Sequence, residues 1–321
     1  MNKYLGNELQ IRGAEEVRLC GGKGDGMRLL NVRNGNGLEF TVSADRCGDI
    51  SRLSFKGVNY GYFAPCGYVA PTYYDNKGAG FLKSFTAGFF TTCGLTAVGS
   101  PCVDDGEELP LHGNISHVPC ENIYHETTND GIRIKAIVRD ASLFGHKLIL
   151  EREYFCPFGE NAIYLTDKIK NIGSETCPLE VLYHCNMGYP LLSENAKVTI
   201  PAEKVVPRDD HAATDTENCL VMEKPQAGYQ EMCYYHTLKG KAKVSIYNDD
   251  IKKGLVMTYD TDELKYFTEW KMMGEYDYVL GLEPGNCTPD GRDVMRKDGT
   301  LEFLNPDEEK VHHIKFEFTE E

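Results

Sequence analysis

The sequence predicts an all-β fold, a large antiparallel β-sandwich built as one domain over residues 1–321, and three observations predict it. Segments with a two-residue apolar period recur along the chain, turn dipeptides separate them, and amphipathic helical patterns are scarce. A period of two sends alternate side chains to opposite faces of a strand. An antiparallel sheet with one apolar face buries it by stacking on another sheet. Length alone does not split 321 residues into two units, because all-β domains reach this size. No Ser/Gly-rich linker, charge run or internal repeat divides the chain.

Taken in order, Asn34-Gly35 and Asn36-Gly37 mark the first tight turns. Asp130-Gly131 opens a strand in which Ile132, Ile134, Ala136 and Val138 alternate with Arg133, Lys135 and Ile137. Residues 148–155 and 162–170 continue with β-branched and aromatic side chains, which suit a pleated, half-buried surface. Residues 179–187 form an apolar strand ending at Gly188 and Pro190. Strands are expected again at 243–247, 255–259 and 278–282, whereas 262–273 fits a short helix or a strand equally well. In the last strand, 311–318, His312, Ile314, Phe316 and Phe318 share one face, and His313, Lys315 and Glu317 share the other.

Composition excludes several functions. A net charge of −15 opposes sequence-independent nucleic-acid binding, which needs clustered Lys and Arg, and it disfavours anionic membrane surfaces. Met1–Gln10 lacks the apolar run of a signal peptide, and no segment approaches the ~20 apolar residues of a membrane helix. Twelve cysteines are scattered singly from Cys20 to Cys287 with no CxxC pair, so free thiols in a cytoplasmic protein are expected.

Chemistry is expected at three separated points. In Leu109-Pro110-Leu111-His112-Gly113-Asn114, a glycine after the histidine lets backbone and ligand approach closely. An ordinary loop histidine fits that segment equally well. In Tyr183-His184-Cys185-Asn186, alternation puts His184 and Asn186 on one face of an apolar strand, toward a cleft or toward the core. In Leu280-Gly281-Leu282-Glu283-Pro284, a carboxylate closes an apolar strand and proline is expected to stop the ladder. Partial shielding from water would raise such a carboxyl toward a value suited to proton transfer, and a solvated rim glutamate is the alternative.

Together these segments resemble the galactose-mutarotase-like (aldose 1-epimerase) superfamily, whose members place a His-Gly segment, a second histidine strand and a C-terminal glutamate in this order. Asp45-Arg46-Cys47-Gly48-Asp49, Cys93-Gly94-Leu95 and Glu269-Trp270-Lys271-Met272-Met273 look like an uncharacterised branch of it, which extends the resemblance to about residues 20–318. The resemblance implies the family's large β-sandwich and an isomerase acting on a free monosaccharide or sugar derivative. Neither metal nor nucleotide is implied. By the same analogy, Glu283 is the base at the anomeric hydroxyl, His184 protonates the ring oxygen, and His112 steadies that oxygen or a neighbouring hydroxyl.

The segments after His112 and His184 depart from those of well-characterised mutarotases, so the sugar-contacting shell differs. Its candidates are Arg46, Asn114, Asn186, Arg208, Trp270 and Lys271, with Trp270 offering an indole face to a pyranose. Lys271 would suit an acidic group on the sugar. A non-catalytic sugar-binding protein or sensor is the main rival. A metal-dependent isomerase using His112, His117 and Glu121 lacks a recognisable ligand spacing. Oligomeric state, a homodimer among the options, is not fixed by the sequence.

Overall fold

The computed structural model describes residues 3–320; Met1, Asn2 and Glu321, and with them the start of the Met1–Gln10 segment, lie outside the described residues. Strands dominate. An eight-stranded antiparallel sheet runs in the order Asn122–Thr127, Gly131–Ala141, Lys147–Pro157, Ala162–Asn171, Glu309–Thr319, Lys253–Asp260, Lys241–Asn248 and Ala196–Thr199. Its alternation is as the sequence implies. Ile132, Ile134, Ala136 and Val138 are buried, and so are His312, Ile314, Phe316 and Phe318. Register lines up one apolar row across five strands, Ile134–Tyr154–Leu165–Ile314–Tyr259.

The second large sheet contains Lys204–Pro207, Met232–Thr237, Tyr266–Met273, Tyr278–Gly285 and Cys177–Met187, with Phe90–Leu95 and Glu302–Leu304 both pairing with the last of these. Within the ambiguous stretch 262–273, Tyr266–Met273 is a strand, in which Phe267, Glu269 and Met273 turn to one side and Trp270 to the other, between two strands that take up its backbone. A smaller five-stranded sheet, Gly13–Arg18 through Val58–Asn59, packs its apolar face into the same core.

Arg152 joins the layers. Its guanidinium bonds Asp49 at 2.6 Å and Asp167 at 2.6 Å, and also reaches the Cys47 carbonyl and Thr92. A charge this deep requires such pairing, since isolated burial is very costly. The twelve cysteines are unpaired, and most pack as small buried hydrophobes. No helix among the described residues is long and apolar enough to cross a membrane.

Candidate active site

Glu283 stands on Tyr278–Gly285, flanked by Tyr266–Met273 and Cys177–Met187. Leu182 lies opposite Gly285 and Cys185 opposite Leu282, a register that brings His184 abreast of Glu283. Glu283 Oε1 is 3.2 Å from His184 Nδ1, and both side chains are buried. Gly281 makes this contact feasible. It precedes Glu283 by two residues on the same face, and a Cβ there would lie 2.1 Å from Glu283 Oε1. Proline does not end the strand: Pro284 stays in register opposite Phe267, and the strand runs on to Gly285. The ladder toward Cys177–Met187 skips this point, so the missing proline N–H interrupts no pairing on that side.

His112 arrives on a loop with a left-handed backbone, φ 59°. Gly113, φ 71°, must be glycine, because a Cβ would lie 2.4 Å from the carbonyl oxygens of Gly94 and Ala97. The His112 N–H donates to Gly99 O at 2.9 Å, and the Gly94 N–H donates to His112 O at 3.1 Å. These bonds hold the His112 ring 5.5 Å from the His184 ring, centroid to centroid. Phe81 packs 5.2 Å from His112, while Phe85 and Trp270 each pack 5.2 Å from His184.

His112, His184 and Glu283 therefore meet in one cavity of about 410 Å³, which Arg208, Glu231 and Trp270 also line. A more open hollow of about 790 Å³ lies over the five-stranded sheet near Tyr62, Tyr189 and Tyr276. It contains none of His112, His184 and Glu283, which all line the smaller cavity.

Burial sets the protonation states. It pushes the Glu283 carboxyl well above its usual range, Glu231 adds to the rise, and Arg208 opposes it. It lowers His184 to about 3, with His112 adding to the fall, and lowers His112 to about 4 against the pull of Glu231. Both imidazoles are thus neutral near pH 7, and the pair of His184 and Glu283 resists separation of charge. His184 Nδ1 faces Glu283, which leaves Nε2 as the ring nitrogen available to a ligand.

Of the expected sugar-contacting residues, Arg208 and Trp270 line the cavity and four others do not. Arg46 is buried elsewhere, donating to the carbonyls of Ser116, Val69 and Ser84 and meeting His117 Nε2 at 3.0 Å. Asn114 accepts from the Tyr74 hydroxyl at 3.2 Å. Asn186 shares the face of His184 but folds back to donate to the His184 carbonyl at 2.7 Å. Lys271 is fully buried on the opposite face of its strand from Trp270, donating to Asn218 O and paired with Glu223 at 3.2 Å. The rival metal set does not assemble either, since His117 is held by Arg46, Ser84 and Ser116, and Glu121 pairs with exposed Arg139.

Sequence reasoning missed Glu231. Its two oxygens accept from Arg208 Nη2 at 3.2 Å and Trp270 Nε1 at 2.7 Å, which fixes both on the cavity wall. It also missed the apolar side formed by Phe81, Leu82 and Phe85. Glu231 ends a polar turn just before the strand Met232–Thr237, a place where a charged residue is ordinary, so no local pattern marks it.

A family model described as a domain of unknown function, DUF4432, matches residues 24–318. No curated protein matches the chain. Among solved structures, a putative aldose 1-epimerase from Klebsiella pneumoniae superposes with a TM-score of 0.92 at 24% identity, covering 98% of this chain and 87% of that one. A galactose mutarotase-like protein from Clostridium acetobutylicum gives 0.70 at 15% identity over 97% and 100% of the two chains. A galactose 1-epimerase from Lactobacillus acidophilus gives 0.64 at 14% identity over 96% and 99%. At these identities the likeness establishes the fold, the galactose-mutarotase-like sandwich. The chain belongs to the DUF4432 family.

Proposed function

We propose that the protein is an aldose 1-epimerase-like isomerase that interconverts the anomers of a free sugar. The observation that carries the reading is the buried contact of Glu283 with His184 at 3.2 Å, inside a cavity sized for a small ligand. In the reactive form Glu283 is a carboxylate and His184 is neutral with its proton on Nε2. Glu283 takes the proton of the anomeric hydroxyl as the C1–O1 double bond forms and the C1–O5 bond breaks. The O5 alkoxide collects the proton of His184 Nε2. As Nε2 gives up its proton, Glu283 passes the one it has taken to His184 Nδ1 across the contact between them, so neither imidazolate nor alkoxide accumulates in the desolvated cavity. Rotation about C1–C2 in the open aldehyde and reclosure by the reverse steps give the other anomer. His112 donates to the ring oxygen or a neighbouring hydroxyl, and Arg208 and Trp270, held by Glu231, contact the rest of the sugar.

The test is anomer exchange of pure sugars followed by polarimetry or NMR, with spontaneous mutarotation subtracted. Glu283→Gln keeps shape and one oxygen acceptor but removes the base, and turnover is expected to fall ~100-fold or more with little change in affinity. His184→Asn is expected to depress turnover as well. Wild-type turnover in Glu283→Gln would overturn the assignment. Sugar binding with no acceleration of anomer exchange would make the protein a binding module.

A further inference from the structure

A second polar cluster lies behind the cavity. Alternation along Tyr266–Met273 puts Trp270 toward the cavity and Glu269 on the opposite face. There Glu269 meets His236 of Met232–Thr237 and Cys219, all three buried, and one ligand atom of each lies within 4.8 Å of the others. His236 and Glu269 have fully covered side chains, joined through Nε2 and Oε2 at 2.8 Å. That bond leaves two further buried atoms of the same pair, His236 Nδ1 and Glu269 Oε1, without a partner. Folded proteins rarely leave such groups unsatisfied, and two in one pair point to a missing ligand.

The geometry points to a divalent transition-metal site, with Cys219, His236 and Glu269 as ligands and zinc as the fitting ion. A thiolate, an imidazole and a carboxylate form a borderline donor set that zinc accepts, with a fourth position open to water. The 4.8 Å ceiling is close to twice a zinc–ligand bond of about 2.0–2.3 Å, so small side-chain rotations bring all three onto one ion. Charge also closes. Thiolate and carboxylate neutralise a dication, with the Cys219 proton released on binding, and the neighbouring Lys271 is already paired with Glu223.

The site would have a structural role. Cys219 belongs to the excursion 208–222, which leaves the sheet after Lys204–Pro207 and returns before Met232–Thr237. An ion shared by Cys219 and two sheet residues pins that excursion, and Arg208 at its start lines the cavity. The proposal is independent of the sugar chemistry, which has no ligand in this cluster.

The test uses the full chain stripped of metal, confirmed folded by circular dichroism, and titrated with zinc or with cobalt(II). One ion per chain is expected. Cobalt should give a thiolate charge-transfer band in the near-ultraviolet, and zinc should raise the melting temperature by several degrees, reversed by chelator. Cys219→Ser and His236→Gln should each abolish stoichiometric retention. Should either variant fail to fold, peptide mapping of wild type decides: zinc must slow alkylation of Cys219, and chelator must restore it. Absence of stoichiometric uptake by folded protein, equal binding by Cys219→Ser, or alkylation indifferent to zinc would each overturn the site and leave a hydrogen-bonded His–Glu pair.

Discussion

The chemistry proposed for Glu283 and His184 rests on opposed shifts with one cause. Removing water disfavours the carboxylate and the imidazolium alike, so the Glu283 carboxyl is held above its usual range and the His184 imidazole is lowered to about 3. The sign of the pH profile follows. The reactive form needs ionised Glu283 beside neutral His184, so turnover should rise as pH increases through the elevated Glu283 value, well above the ordinary carboxylate range. No step is expected near 6.5, because neither cavity histidine titrates there. A kcat/KM profile that rises near 4 and stays flat would contradict the desolvated carboxylate. Gly281→Ala gives a second check, because its Cβ would fall 2.1 Å from Glu283 Oε1 against a backbone held on both sides. Displacing the base should cost about tenfold to a hundredfold in kcat, as misplacement by about 1 Å does elsewhere, with a smaller change in KM. At this scale the sequence was legible where a charged or imidazole group interrupts an apolar strand, as at His184 and Glu283. It was silent where a side chain comes from a polar turn, as with Glu231. Lys271 illustrates the reverse: once 262–273 is read as a strand, alternation alone forbids Trp270 and Lys271 from facing the same cavity.

Strands place the proposed acid–base pair, and loops complete the wall around it. Cys177–Met187 and Tyr278–Gly285 are fixed by ladders on both sides, which suits groups that must keep a 3.2 Å contact. His112 comes instead from a loop, and Phe81 and Leu82 from the single 3-10 turn Gly80–Lys83, segments too short to leave a periodic trace in the sequence. That is why the two strands that carry the pair could be foreseen, while Tyr266–Met273 stayed open between helix and strand and the apolar side left no sign. Trp270 reports on the junction of the two kinds of element. It is the sole tryptophan, lies 5.2 Å from the His184 ring, and donates to Glu231. Sugar binding should change its emission, and Glu231→Gln should shift the emission of the free protein by weakening the indole hydrogen bond. A sugar that binds by calorimetry yet leaves the fluorescence unchanged would place the ligand away from this wall.

Across the whole molecule, the sandwich was legible because strands such as Gly131–Ala141, Ala162–Asn171, Lys241–Asn248 and Glu309–Thr319 each bury one face, and period two survives such packing. The buried Arg152 linkage to Asp49 and Asp167 was not, because charges 103 and 15 residues away meet only after the sheets stack. Charge at this scale also bears on which sugar fits. The chain carries −15, and an anionic ligand meets that field before it meets the cavity. Inside, Arg208 is the one cation among the described residues that line the cavity, and it is already engaged by Glu231 at 3.2 Å and Asp209 at 3.3 Å. Lys271, which looked suited to an acidic group, lies on the other side of the sheet. A phosphate or carboxylate on the sugar would have to break the Arg208 pairs and approach the Glu283 carboxylate without a free cation to offset it. Neutral aldoses should therefore exchange anomers faster, per unit kcat/KM, than their 6-phosphates or uronic acids. Raising ionic strength should narrow that gap by screening the long-range part while leaving the part set inside the cavity. Faster turnover of the acidic sugar at low salt would mean that Arg208 leaves Glu231 when substrate binds, and Glu231→Gln would then strengthen binding of the acid.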